Sequence, residues 1–275
     1  MSKVKIKLVS IGHLPLGFDP KKIKNFSSSL FEVIEKIDNH ELRCNSDGFY
    51  WEFSDHLVRE QMPKLNGADF MIAIVNVRLE DNWYSRRLGG NQVIFTFYEI
   101  KEILQSANIP LENVIYRLLN AYTFAYKRNN HKIPEFHEMT DFTHDETRGC
   151  IFDMNGIKSD LVAACHNPII CSECKEKLRR DRVSNDDIES AEKDIKKIRK
   201  DLYFRILDKV KRHPIWALSL SSLFAFLLGV AGSITGSYLF EHLNSAESEP
   251  RDITSDSIGQ PAATVEKTPT QQTAN

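Results

Sequence analysis

Apolar residues alternate with lysines in "KVKIKLVSI" (3–11), a period of two that predicts a strand with one solvated face. In "KKIKNFSSSLFEVIEKI" (21–37), Ile23, Phe26, Leu30, Val33, Ile34 and Ile37 recur at helical spacing and predict a helix. "ADFMIAIVNVRL" (68–79) is an almost unbroken apolar run, the pattern of a buried strand. "NQVIFTFYEI" (91–100) follows Gly89 and Gly90 and is rich in β-branched and aromatic residues, so it predicts another strand. "IPLENVIYRLLNAYTFAYK" (109–127) opens near Pro110 and gathers Val114, Leu118, Ala121, Tyr122 and Ala125 on one face, the mark of a buried helix. "IPEFHEMTDFTHDE" (133–146) also opens on a proline followed by acids, as helix N-termini do. These elements make residues 1–180 a mixed α/β domain of the α+β kind.

Beyond it the pattern changes twice. Within 183–213, Ile188, Ala191, Ile195, Ile198 and Leu202 keep a 3-4 spacing among charges, which suits a short coiled coil or a basic helix packed on its own domain. Residues 214–240, "PIWALSLSSLFAFLLGVAGSITGSYLF", hold no charged residue, and about 20 apolar residues cross a bilayer core. A single transmembrane helix is the expectation, with Trp216 and Tyr238 near its two interfaces. Ala225, Gly229, Ser233 and Ser237 recur every fourth residue, and Gly232 with Gly236 forms a GxxxG pair. Small residues so spaced let helices approach closely, which points to homo-oligomerisation in the lipid bilayer, although Gly and Ser are common in such helices anyway. The tail, 241–275, is poor in apolar residues and is expected to be disordered.

Charge settles orientation rather than partner. The formal net charge is −2, from 36 basic and 38 acidic residues, and indicates no nucleic acid. Locally, Lys193, Lys196, Lys197, Arg199, Lys200, Arg205, Lys209, Lys211 and Arg212 precede the apolar run, whereas only Arg251 and Lys267 follow it. The positive-inside rule then keeps the N-terminal domain in the cytoplasm and sends the tail outside. Five cysteines and a polar, strand-like start in place of a leader agree with a reducing compartment, so clustered thiols read as ligands rather than disulfides.

Three of those cysteines and one histidine sit in "FTHDETRGCIFDMNG" (142–156) and "PIICSECKEKL" (168–178). Cys171 and Cys174 form a CxxC knuckle, and with Cys150 and His144 they supply the ligand types of a closed Cys3His zinc site. The plain alternative makes Cys150 a buried core thiol. Cys44 and Cys165 lack such spacing and read as ordinary residues, with His166 a substitute ligand at most. Catalysis asks for more. His137, Asp141 and His144 would share a face of a helix, and "HEMTD" is HExxH with Asp for the second His, leaving Glu138 as the candidate general base and His137 with Asp141 as a second metal site. A solvated helix face explains His137 and Glu138 equally simply. Arg148 and Gly149 in "TRGC" suit a turn over the metal, or an anionic ligand.

The segment resembles the archaemetzincins, zinc peptidases of the metzincin group, whose HExxHxxGxxHC motif is followed after four residues by Cys and later by CxxC. With His144 on the last His, Cys150 meets the second structural Cys, Cys171 and Cys174 fall close to the CxxC, and Asp145 replaces the first structural Cys. Pro134, Glu135, Glu138 and Asp141 then stand at the first His, the catalytic Glu, the second His and the Gly, so only the Glu is kept. Over roughly residues 65–178 the resemblance implies a metzincin-like fold with a structural zinc and a degenerate catalytic motif. "DNWYSRRLGGN", "RGCIFDMNGIK" and "ICSEC" are similar to a group of bacterial membrane-anchored proteins, which implies a shared domain and no mechanism. The expected function is a single-pass membrane protein with a cytoplasmic, zinc-stabilised sensing or binding domain. The alternatives are a membrane-tethered zinc hydrolase and an oligomerising membrane effector.

Overall fold

The computed structural model describes residues 2–138 and 141–245. The chain divides into two compact units, Met1–Lys209 and Val210–Asn275. The first is built on a five-stranded sheet of β1 (Val4–Ile11), β2 (Phe31–His40), β3 (Phe70–Val75), β4 (Ser85–Gly89) and β5 (Gln92–Thr96), in the order β2-β1-β3-β5-β4. All neighbours run parallel except β4 and β5, which pair antiparallel. In β3 the period of two divides the core: Phe70, Ile72 and Ile74 face one apolar cluster, Met71, Ala73 and Val75 the other. An apolar run without alternation is therefore what a strand covered on both faces requires.

α1 (Pro20–Lys24) follows β1, and α2 (Asp55–Glu60) precedes β3 on the side of the smaller cluster, which receives Val58. α3 (Ile100–Ser106) and α4 (Glu112–Arg128) cover the larger cluster, where α4 lies almost wholly buried. α5 (Leu161–Ala164), α6 (Ser172–Arg180) and α7 (Asn185–Ile195) complete the unit. α8 (Leu202–Arg212) leads to α9 (Pro214–Ser245), whose residues Pro214–Leu243 are long and apolar enough to cross a membrane. α9 carries Ala225, Gly229, Gly232, Ser233, Gly236 and Ser237. Residues 246–275, most of the expected disordered tail, lie outside the described residues.

Four expectations are corrected. The face of β1 expected to be solvated is exposed only at Lys5: Lys7 is buried, 3.8 Å from Asp38 and 4.0 Å from Glu35. The helix expected over 21–37 stops at Lys24 and becomes β2 from Phe31, because Phe31–Ile34 pair in register with Val4–Lys7. Glu35, at φ 65°, then shifts that register, so apolar positions three and four apart fit a bulged strand as well as a helix. No helix forms over 134–138 or 141–146 either. Arg87 Nη2 donates to the carbonyls of Phe136 and Glu138, at 3.2 and 3.4 Å, drawing that backbone toward β4. Finally, the helix over 183–213 breaks between α7 and α8, where Asn167 N donates to the Ile198 carbonyl and Lys200 N to His166 Nδ1. Ile188, Ala191, Ile195 and Ile198 are buried in the domain's own core, whereas Leu202 is exposed. The apolar stripe is accounted for by packing within the chain, without a coiled coil.

Candidate metal centre

Three short pieces of backbone carry the four donors. His144 lies on an extended segment bridged to Asp153, with His144 N donating to the Phe152 carbonyl and Met154 N to the His144 carbonyl. Cys150 is bridged to Ile169 through Ile151 N to Ile169 O, 3.0 Å, and Ile169 N to Gly149 O, 2.9 Å. Gly149 makes the approach possible: its φ is +72°, and a Cβ there would stand 3.2 Å from the Ala163 carbonyl oxygen. Cys171 stands at the N-cap position of α6 and Cys174 lies in its first turn, a spacing of three that sets both thiols at one helix end.

The His144, Cys150, Cys171 and Cys174 donor atoms lie within 4.8 Å of one another. Zinc–sulfur bonds of about 2.3 Å in a tetrahedron put sulfurs about 3.8 Å apart, so the spacing requires little closure. His144 Nε2 is already 3.7 Å from Cys171 Sγ. Its Nδ1 lies 2.9 Å from the Glu146 carbonyl; donation there fixes the tautomer whose free nitrogen faces the thiols. Cys171 N donates to Cys150 Sγ at 3.4 Å. A hydrogen bond from the Cys174 thiol, helped by backbone N–H groups of Cys171 and Phe152, draws the Cys150 thiol well down, while the Cys174 thiol is pushed up by the same partner.

Asp153, fully buried, stands behind this set. Its Oδ2 accepts from the N–H groups of Arg148 and Cys150, both at 3.0 Å. Among the described residues its Oδ1 has no hydrogen-bond partner, and it lies 3.4 Å from His144 Nε2. Burial raises its pKa, against the two N–H groups. A buried carboxylate with a vacant acceptor beside three thiols is what a bound cation would balance. Arg148 covers the outer side, reaching Cys171 Sγ at 3.7 Å and Glu173 at 2.8 Å. The donors therefore fit a zinc ion, and with four protein ligands in a buried setting the site would be closed.

The remaining candidates stand elsewhere. His137 and Glu138 are exposed in a turn, and Glu138 Oε2 accepts from Glu135 N at 2.8 Å. Asp141 is paired with Lys177 and Arg180, at 2.9 and 3.3 Å. Among the described residues neither His137 nor Asp141 joins a metal-holding group. Cys165 is a core thiol whose pKa burial raises to about 12, and Cys44 is half-buried. His166 accepts from Lys200 N rather than facing the cluster. Asp153 is not legible in the sequence, because an acid three residues after a cysteine carries no signal of burial.

No protein-family model matches the sequence, and no curated protein matches it. Among solved structures, an archaemetzincin from Methanopyrus kandleri is similar at a TM-score of 0.37 and 14% identity, over 66% of this chain and 96% of that one. The chemistry of the centre stands on its own donors and distances.

Proposed function

We propose that this chain is a single-pass membrane protein whose N-terminal α/β domain is a cytoplasmic binding or sensing domain closed by one structural zinc. The observation that carries the zinc is the closed set His144, Cys150, Cys171 and Cys174. Bound there, zinc would supply a cross-link, tying the 144–154 segment to the start of α6. The anchor is supported by Pro214–Leu243, and the orientation by the basic residues that precede it. A hydrolytic zinc would need an open coordination position and a base to activate water; the exposed turn at His137 and Glu138 offers neither in contact with the cluster.

Metal analysis of the purified full chain in detergent tests this directly. One zinc per chain is expected, lost in Cys171→Ser together with cooperative thermal unfolding, and retained in Glu138→Gln. A second equivalent of zinc, or a peptidase activity that Glu138→Gln abolishes, would replace this proposal with the hydrolase.

A further inference from the structure

The cleft between β4, the middle of α4 and the 142–154 segment contains cationic groups that the fold leaves incompletely satisfied. It encloses about 250 Å3, with Trp83, Tyr84, Tyr122, Phe136 and Phe142 among its walls. Three arginines line it. Arg86 is accounted for, since its guanidinium is paired with Asp55 at 2.6 Å and lies near Glu80 and Asp81. The other two, among the described residues, meet only uncharged partners.

Arg117, on α4, is 2% exposed. It donates from Nη2 to the Asp153 carbonyl at 2.5 Å and from Nη1 to the Tyr84 hydroxyl at 3.3 Å, and among the described residues its Nε has no partner. Arg87 gives Nη2 to two backbone carbonyls, and among the described residues its buried Nη1 has no partner. The nearby acid meets Arg117 through its backbone carbonyl and not its carboxylate, whose Oδ2 accepts from the amides of Arg148 and Cys150 and whose Oδ1 lies toward His144, so it acts on the guanidinium only through space. A guanidinium keeps its charge throughout the physiological range, and burying one without a counter-charge is costly. Burial works against the charge of Arg117, yet its pKa is held above the usual arginine value by Tyr84, Cys165 and Asp153. Two such groups beside an aromatic cleft form a pattern that recognises an oxyanion on an apolar body.

We propose that this cleft binds a small organic anion, with a carboxylate or phosphate on Arg87 and Arg117 and an aromatic or other apolar body against Tyr84, Tyr122 and Phe142. The inference deepens, and rests on, the reading of the domain as a binding one. It also gives occupancy a route to the metal centre: Arg117 holds the Asp153 carbonyl, and the Asp153 carboxylate holds the backbone of Cys150.

Calorimetric titration of the full chain in detergent tests it, with phenyl phosphate, phenylacetate and neutral benzyl alcohol as probes. At least one anion is expected to bind about tenfold or more tightly than the alcohol, and its identity tells phosphate from carboxylate. Arg87→Gln and Arg117→Met should each weaken that anion about tenfold or more, at unchanged zinc content. Should Arg117→Met fail to fold, Arg87→Gln alone decides. Equal binding of all three probes, no binding of either anion, or full affinity in folded Arg87→Gln overturns the assignment. Any of these with one zinc still bound removes the anion site and leaves the zinc domain standing, whereas loss of the zinc model registers in the metal analysis.

Discussion

At the scale of single residues, the centre depends on positions with no donor atom of their own. Gly149 holds a left-handed backbone against the Ala163 carbonyl, and the next residue is Cys150. Gly149→Ala should therefore cost about 1–3 kcal/mol, measured by urea unfolding of the zinc-loaded chain, and speed zinc release to a chelator. Unchanged stability and release would show that the turn does not set the position of the thiol. The four donors were legible in the sequence because thiol and imidazole types, with a CxxC, announce metal chemistry locally. Asp153 and Arg117 were not. An acid and an arginine are common surface residues, and only the packing of the 150–154 segment on α4 makes the one a buried neighbour of His144 and the other a buried guanidinium bonded to a carbonyl and a hydroxyl.

Among elements, local periodicity was reliable where burial is symmetric and unreliable where it is not. β3, β5 and α4 announced themselves, since a strand covered on both faces and a helix sunk in the core need apolar residues nearly throughout. β2 imitated a helix because a bulge at Glu35 breaks its period of two, and β4, with two arginines at its centre, carried no strand signal at all. α7 poses the opposite question, whether an apolar stripe serves the domain or a partner chain. Ile188 is 2% exposed in the core of its own domain. Ile188→Ala should cost about 2–5 kcal/mol of that domain's stability while light scattering finds the same assembly size. A drop in assembly size with stability unchanged would restore the coiled coil.

For the whole molecule, one domain and one apolar helix are joined in a single chain. The Pro214–Leu243 helix is long and apolar enough to cross a membrane. The full chain should stay with the membrane pellet through alkaline carbonate extraction, and truncation before Pro214 should release a soluble domain; extraction of the full chain would refute a spanning anchor. Replacing Gly232 and Gly236 with Leu should leave that retention intact and reduce assembly size in detergent if the small residues form an interface. What the sequence determined by itself is whatever a contiguous stretch can encode: an uncharged run as long as a bilayer is thick, a basic flank, a doubly buried strand, thiols at knuckle spacing. What only the tertiary structure decided is pairing across distance. His144 meets Cys171, Arg117 meets the Asp153 carbonyl, and the 134–138 segment turns toward Arg87, because the energy of a buried polar group depends on which partner reaches it, and no local pattern encodes that.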